Sequence, residues 1–178
     1  MIRDVIKTAR CTLRPFRFAD VEDVLAYASD PAWNRYLIAL PVSYTREDAE
    51  KFVSGQMLVD RDARPSWAID VAGSAIGGVN LRFSPDHRIG EIGYGIAPRC
   101  WGQGLAFEVA RAVIGEAFGA YPELVRIRAR SDARNAQSLR VMEKLGMKRE
   151  ALLRCDRLFR GELVDEVICG LLRSEWVA

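Results

Sequence analysis

A glycine-rich turn between a predicted strand and a predicted helix is the part of this sequence with the clearest chemical meaning. Residues 99–106 read Arg-Cys-Trp-Gly-Gln-Gly-Leu-Ala, and Gly102 and Gly104 allow the main chain to approach a ligand closely. The first N–H groups of the following helix have no partner within that helix, and the helix dipole favours negative charge at the same end. The turn therefore predicts a site for a phosphate or pyrophosphate.

Two other kinds of phosphate-binding glycine loop do not match this chain. A nucleotide P-loop requires G-x-x-x-x-G-K-[ST], and no Gly-Lys followed by Ser or Thr occurs here. A dinucleotide fingerprint G-x-G-x-x-G would start at Gly93, but Pro98 occupies its last position and the run lies inside a predicted strand. The pattern that remains is Arg99-x-x-Gly102-x-Gly104, which is too short to identify a ligand by itself.

Hydrophobic periodicity and turn residues predict the elements that position this turn. A first strand over Cys11–Phe16 is followed by a helix that starts at Asp20 and by a second helix capped at Thr45. The remaining predicted strands are Ser66–Val71, Ala75–Phe83, Arg88–Ala97, Leu124–Ser131, Lys148–Leu158 and Leu163–Leu172. The remaining predicted helices are Gly102–Tyr121 and Asn135–Leu145. The short connections favour an α+β fold with a mostly antiparallel sheet of about seven strands and about four helices.

Length, charge and cysteine content restrict the class of protein. A chain of 178 residues with no linker, repeat or low-complexity segment predicts a single domain over residues 1–178. A net charge of +2 favours neither nucleic acid nor membrane as a partner. The four cysteines are far apart and form no C-x-x-C pair, so we expect free thiols and no metal site. No apolar run has the length of a leader or a membrane span, so we expect a cytoplasmic protein.

Four further motifs lie before and after the glycine-rich turn. They are Leu13-Arg14-Pro15-Phe16, Glu91-Ile92-Gly93-Tyr94, Asn135-x-x-Ser138-x-Arg140 and Arg160-Gly161-x-x-x-Asp165. With these motifs the chain, over about residues 10–177, resembles the GNAT N-acetyltransferase superfamily. It resembles most closely the RimJ/RimL branch, which acetylates the amino termini of ribosomal proteins. The resemblance implies a splayed GNAT-like sheet, acetyl-CoA as co-substrate and an amine as acceptor, and it leaves a homodimer open because dimers are common in the family.

The resemblance also implies which residues bind acetyl-CoA. The pyrophosphate would lie in the motif that starts at Arg99, on the backbone N–H groups of Gly102, Gln103, Gly104, Leu105 and Ala106. The pantetheine arm would pair with the backbone of Ile96 as an added strand, which requires the sheet to open there. Asn135 would hydrogen-bond the pantetheine, although an asparagine in this position can also simply cap its own helix.

Catalysis requires a neutral amine, a donor for the oxyanion and a leaving thiolate. Glu91 is the candidate base, and a backbone N–H near Ile96 is the candidate oxyanion donor. Many family members place a tyrosine on the helix that here begins at Asn135, but no tyrosine occurs from Asp132 to Leu145, and Ser138 is the hydroxyl that this chain offers. The structural alternatives are that Glu91 pairs with a neighbouring arginine and that Ser138 only faces the cofactor.

The acceptor is the least determined part of the prediction. An α-amino group has a pKa of about 7.7–8, well below the value of about 10.4 for lysine, so a protein or peptide N-terminus needs less help to become neutral. A small-molecule amine and a non-catalytic CoA-binding module are the alternatives. The stretch Pro31–Arg46 is where the family shapes its acceptor pocket, although its aromatic residues can equally be ordinary packing.

One face of a predicted strand carries three arginines, Arg126, Arg128 and Arg130. These arginines either pair with acidic residues or line a groove for an acidic peptide. Binding of nucleic acid through them is a further alternative.

Overall fold

The computed structural model describes residues 2–37, 41 and 43–177, and its centre is a mixed sheet of eight strands. The strands are β1 (Ile6–Lys7), β2 (Thr12–Arg14), β3 (Ser66–Val71), β4 (Ser74–Phe83), β5 (Ile89–Ile96), β6 (Arg126–Asp132), β7 (Lys148–Phe159) and β8 (Glu162–Leu172). The α-helices are α1 (Val21–Ala28), α2 (Arg46–Met57), α3 (Leu105–Ala120) and α4 (Ala136–Lys144). The strand order in the sheet is β1-β2-β3-β4-β5-β6-β8-β7.

The fold confirms the predicted α+β class, and the differences from the predicted elements are local. The eighth strand, β1, has only two residues and pairs with β2, so it is too short to produce a recognisable alternation. The third helix begins at Leu105 instead of Gly102, because Gly102 and Gly104 both adopt left-handed φ values that a helix cannot contain.

The pairing between β5 and β6 is the only parallel one in the described sheet, and it is short. It joins Ile89–Glu91 to Arg126–Arg128 and then stops, although β5 continues to Ile96 and β6 continues to Asp132. Beyond this point β5 pairs only with β4, and β6 pairs only with β8. The sheet therefore opens between the second half of β5 and the second half of β6, as the resemblance implied.

The backbone of β5 presents hydrogen-bonding groups to this opening. The N–H of Ala97 donates to the carbonyl oxygen of Ile76 at 2.7 Å, so Ala97 faces β4. Because successive residues of a strand point their backbone groups to opposite edges, the N–H and C=O of Ile96 and of Tyr94 face the opening. This free edge is where an extended ligand can add to the sheet.

Apolar side chains fill both sides of the sheet. On one side, α3 buries Val109, Val113 and Ile114 completely in a core that includes Leu81 and Ile92 of the sheet. On the other side, α1 and α2 form a smaller core, with Val24, Val53, Phe16, Ala68 and Ala75 among its members. Burial of side chains of this size contributes about 1.5–3 kcal/mol each relative to exposure, which makes both cores rigid supports for the open edge.

The three arginines of β6 are paired with carboxylates. Arg126 pairs with Glu150, and Arg128 Nε lies 2.8 Å from Glu91 Oε2. Arg130 pairs with Glu166 at 2.8 Å and with Glu91 at 3.4 Å. Pairing with acidic residues was one of the alternatives that the sequence left open for these arginines. All four cysteines are free, as expected, and no helix within the described ranges combines the length and apolarity of a membrane span.

Candidate active site

The glycine-rich turn has the geometry of an anion site. After β5, a 3-10 turn over Pro98–Cys100 leads to Gly102 at φ +75° and Gly104 at φ +77°, and α3 starts at the next residue. Glycine alone adopts these φ values without strain. The first intrahelical bond runs from the N–H of Glu108 to the carbonyl of Gly104 at 3.1 Å, so the N–H groups before Glu108 have no partner within the helix.

Arg10, which lies in the connection between β1 and β2, forms hydrogen bonds that hold this turn in place. Its Nη1 donates to the carbonyl oxygen of Gln103 at 2.8 Å, and its Nε donates to Glu108 at 2.6 Å. Thr8 donates to the same carboxylate at 2.6 Å. Burial alone would raise the pKa of Glu108, but the hydrogen bonds from Thr8 and Arg10 outweigh burial, so the pKa lies below its usual value. The ionised carboxylate therefore anchors Arg10 and, through it, the turn.

A cavity of about 340 Å³ lies between this turn and α4, and we call it the loop cavity. It is lined by residues that include Ile96, Gly102, Gly104, Leu105, Ala106, Asn135, Ser138, Arg140 and Lys144. Two cations, Arg140 and Lys144, are one helical turn apart on α4, and the described lining contains no carboxylate. Such a lining favours an anionic ligand, which is what the turn predicts.

A second cavity of about 490 Å³ lies on the α1 and α2 side of the sheet, and we call it the arginine cavity. Its aromatic lining consists of Phe16, Tyr27, Trp33, Tyr36, Tyr44, Phe52 and Tyr94. Its charged lining consists of Arg64, Arg130, Asp132 and Arg157. The predicted acceptor stretch Pro31–Arg46 supplies Trp33, Tyr36 and Tyr44 to this wall, while its residues 38–40 and 42 lie outside the described part of the chain.

The two cavities share one wall, made by Trp33, Tyr36, Leu37, Tyr94, Gly95, Asn135 and Ser138. Gly95 is essential to this wall because a Cβ there would lie 2.7 Å from the Trp33 ring. Tyr94, on β5, and Ser138, on α4, face each other across the opening of the sheet. A ligand bound in the loop cavity and a second ligand bound in the arginine cavity would therefore meet beside these two hydroxyls.

Tyr94 is a candidate functional residue that the sequence analysis missed. Its hydroxyl donates to the carbonyl oxygen of Ser138 at 3.3 Å and lies 3.3 Å from Ser138 Oγ. Burial raises the pKa of Tyr94 to about 12, so the phenol is neutral and a hydrogen-bond donor at neutral pH. The fold thus places a phenol from β5 beside Ser138 of α4, and alternation along β5 puts Tyr94 on the same face as Ile96.

Asn135 caps α4, and it also lines both cavities. Its Oδ1 accepts the N–H of Ser138 at 3.1 Å, which is the capping role that the sequence left as an alternative. Its Nδ2 has no hydrogen-bond partner among the residues described. The cap orients this amide so that Nδ2 remains available to a ligand, and the two interpretations of Asn135 are compatible.

Glu91, Arg99 and Gln103 lie outside the lining of the two cavities, unlike the other predicted site residues. Glu91 Oε2 pairs with Arg128 and Arg130, while its Oε1 has no partner in the described part of the chain. The predicted edge residue Ile96 has its carbonyl oxygen bound by Trp101 Nε1 at 2.5 Å, which leaves its N–H facing the opening. Within residues 2–37, 41 and 43–177 no cluster of three metal-ligating side chains is found.

Comparison with known proteins assigns the family. Residues 10–148 match the family model described as acetyltransferase (GNAT) domain. The chain belongs to the GNAT family of N-acetyltransferases. The strands β7 and β8 lie largely beyond the matched residues, yet β8 pairs with β6 in the same sheet.

Relatives of this acetyltransferase align with nearly the whole chain. The uncharacterized N-acetyltransferase p20 of Bacillus licheniformis is 29% identical over 178 residues, which covers 97% of this chain and 98% of the relative. A GNAT acetyltransferase from Bacillus anthracis superposes with a TM-score of 0.85 at 29% identity, covering 96% and 99% of the two chains. RimL, a ribosomal-protein α-N-acetyltransferase solved in complex with coenzyme A, has the same fold with a TM-score of 0.84, at 17% identity and with 94% and 97% coverage.

Proposed function

We propose that this acetyltransferase uses acetyl-CoA as acetyl donor and transfers the acetyl group directly to the α-amino group of a peptide or protein. The observation that carries the proposal is the shared wall at Tyr94 and Ser138, where the loop cavity and the arginine cavity meet. Direct transfer needs the acceptor amine to lie next to the carbonyl carbon of the donor thioester, and two cavities that join at a single wall supply that arrangement.

The loop cavity suits coenzyme A. The pyrophosphate binds at the backbone N–H groups of Gly102–Ala106, where the glycine turn and the start of α3 favour an anion. Arg140 and Lys144 add positive charge on the opposite wall. The pantetheine arm pairs with the free edge of β5 at Ile96 and with the side chain of Asn135. When bound, acetyl-CoA supplies a thioester whose carbonyl carbon the acceptor amine attacks.

Two groups of the chain assist the attack of the amine on the thioester. A backbone N–H near Ile96, that of Tyr94, also faces the opening and donates to the oxyanion. Glu91 removes the amine proton through a water bound to its free Oε1, while its Oε2 lies 3.4 Å from Nε of Arg130, which lines the arginine cavity. The C–N bond forms, the C–S bond breaks, and coenzyme A leaves as a thiolate that takes its proton from solvent.

Tyr94 and Ser138 stabilise the leaving thiolate through hydrogen bonds and do not protonate it fully. A thiol has a pKa of about 8.5, whereas burial raises that of Tyr94 to about 12. Complete transfer of the phenolic proton would therefore cost about 5 kcal/mol, from a difference of roughly 3.5 pKa units. A hydrogen bond to a charged acceptor contributes about 1.5–3 kcal/mol without that cost.

An α-amino acceptor is supported by its low pKa and by the lining of the arginine cavity. The only carboxylate in the described lining is Asp132, and Arg134 already donates three hydrogen bonds to it through N, Nε and Nη2. A polyamine or aminoglycoside would find no free carboxylate there. The fold shared with RimL is consistent with a peptide acceptor.

Mass spectrometry of a library of peptide termini, incubated with the protein and acetyl-CoA beside common metabolite amines, tests the proposal. We expect acetylated peptide α-amines and stoichiometric release of thiol. Preferential acetylation of a metabolite amine would replace the peptide acceptor by a small molecule. Tight acetyl-CoA binding without turnover of any amine would identify a CoA-binding module instead of an enzyme.

A further inference from the structure

We propose that the arginine cavity recognises an anionic group on the acceptor, so that the substrate is an amine with a carboxylate close to its amino group. The inference rests on the proposed function, since it concerns the acceptor of the same reaction. It depends on how Arg130 and Arg157 are held, on their unused donors and on the charge of the cavity.

A buried carboxylate positions the two arginines. Glu166, on β8, has a side chain only 1% exposed. Its Oε2 accepts from Arg130 Nη1 at 2.8 Å, and its Oε1 accepts from Arg157 Nη1. A carboxylate with one arginine on each oxygen holds both guanidinium groups at a fixed separation. The cost of burying this carboxylate is offset because both of its oxygens accept hydrogen bonds from arginine.

Both arginines line the arginine cavity and retain unused donors. The side chains of Arg130 and Arg157 are 36% and 41% exposed. Nη2 of each has no partner among the residues described. A guanidinium has five N–H donors in a rigid fork that matches a carboxylate, so two neighbouring forks with unused donors form an anion site.

The charge balance around the cavity points in the same direction. Arg128, Arg130 and Arg157 share two carboxylates, Glu91 and Glu166, so one positive charge remains in excess. The one acidic residue in the described lining of the cavity, Asp132, is neutralised by Arg134. Arg64 adds a further cation at the wall and has no ion-pair partner in the described ranges. A ligand anion would therefore be drawn in, and a polycation would be repelled.

The size of the cavity limits how far the anion lies from the amine. A volume of 490 Å³ corresponds to a space about 10 Å across, which is the length of roughly three extended residues. The amine must reach the shared wall at Tyr94 and Ser138. The carboxylate must then belong to one of about the first three residues of a peptide, or to the free carboxyl group of a very short one.

Paired acceptors that differ only in charge test this inference. The peptide pair is Ser-Glu-NH2 and Ser-Gln-NH2, and the terminal-carboxylate pair is Ser-Gln with and without its C-terminal amide. We expect kcat/KM to be at least about 10-fold higher for the acidic member of one or both pairs, and the pair that shows it identifies the source of the carboxylate. Equal kcat/KM values within both pairs, or a higher value for spermidine than for any peptide, would overturn the inference.

An arginine variant and a matched control separate recognition from folding. Arg157→Gln should abolish the preference for the acidic member, so that kcat/KM falls at least about 10-fold more for the acidic peptide than for the neutral one. Arg154→Gln, three residues earlier on β7, exposed and outside both cavities, should retain the full preference. An equal loss for both members in Arg157→Gln would show a general structural effect and contradict the recognition role.

Calorimetry distinguishes this inference from the proposed function. Each peptide is titrated into the protein saturated with coenzyme A, so that no turnover is required. Tighter binding of the acidic member by about 10-fold or more, lost in Arg157→Gln, supports the inference even if no amine is acetylated. Equal affinity within both pairs refutes it even if both peptides are acetylated.

Discussion

Tyr94 Oη lies 3.3 Å from Ser138 Oγ across the point where β5 and β6 separate. The two residues are 44 positions apart in the sequence and come from a strand and a helix that touch different sides of the loop cavity. Both residues line the wall that the two cavities share, which is where we propose that the reaction takes place.

Removal of the Tyr94 hydroxyl should slow the reaction without weakening cofactor binding. We expect Tyr94→Phe to lower kcat about 10- to 100-fold, because a hydrogen bond to a thiolate contributes about 1.5–3 kcal/mol, while the Kd for acetyl-CoA stays the same. Steady-state kinetics and calorimetry measure the two quantities. Tyr121→Phe, at the end of α3 and outside both cavities, is the matched control. An unchanged kcat in Tyr94→Phe would remove the phenol from the mechanism.

A side chain at Gly104 should obstruct the pyrophosphate. A Cβ there meets only Arg10 at 3.8 Å, so it would project into otherwise open space at the start of α3. We expect Gly104→Val to raise the Kd for acetyl-CoA at least about 10-fold, while the strain of a left-handed valine costs about 1–2 kcal/mol of stability. Isothermal titration measures the Kd, and thermal unfolding shows that the variant remains folded.

Gly119→Val is the control for the glycine substitution, since Gly119 is exposed near the end of α3 and its Cβ would contact nothing within 4 Å. It should bind acetyl-CoA like the unmodified protein. Normal affinity in folded Gly104→Val would count against the assignment of the turn to the pyrophosphate.

Glu91→Gln should lower the rate most at low pH. An α-amine with a pKa of about 7.7–8 is largely protonated below neutrality, so assistance by a base matters most there. The ratio of wild-type to variant kcat/KM should therefore increase as the pH falls from about 9 to about 6. The matched control is Glu150→Gln, which removes the carboxylate that pairs with Arg126. Glu150 lies outside both cavities, so this variant should leave the pH–rate profile unchanged.

A ratio that is the same at every pH would assign Glu91 to the positioning of Arg128 and Arg130 instead of to proton removal. The ion pairs with these two arginines make that outcome a real alternative, because loss of the carboxylate charge also releases both guanidinium groups. The stability of Glu91→Gln, measured by urea unfolding, controls for this effect.

Asp20 should stabilise the fold in a pH-dependent way. Asp20 is only 1% exposed, and this burial by itself would raise its pKa. The hydrogen bonds from Arg14 and Arg17 outweigh burial, so the pKa of Asp20 lies below its usual value. A group whose pKa is lowered on folding stabilises the protein above its unfolded pKa of about 3.9, and this contribution is lost as the pH falls through the folded pKa.

We expect Asp20→Asn to lower the free energy of unfolding by about 3 kcal/mol at pH 7 and by progressively less below about pH 4, since it breaks a buried ion pair. Urea unfolding at pH 7, 5 and 3 measures the difference. Asp156→Asn, an exposed aspartate without an ion-pair partner in the described ranges, should have little effect. A loss of equal size at all three pH values would show that the charge of Asp20 is not the stabilising feature.

The sequence alone was sufficient for the fold class, for most of the elements and for the glycine-rich turn between β5 and α3. Apolar periods of 2 and 3.6 residues are local properties, so the faces of β5 and α3 could be recognised without knowledge of their neighbours. The left-handed glycines at 102 and 104 and the cap at Asn135 are local as well, because each depends on a few consecutive residues. The single domain over residues 1–178 and the catalytic role of Glu91 remain predictions.

Tertiary structure decided what these elements form together. The end of β5–β6 pairing after Glu91, the contact of Tyr94 with Ser138 and the positioning of Arg130 and Arg157 by Glu166 all join residues far apart in the chain. Such contacts depend on how whole strands and helices pack, and no local pattern specifies them. For that reason the sequence offered Ser138 only as a candidate, while the fold showed Tyr94 beside it and the charge of the arginine cavity.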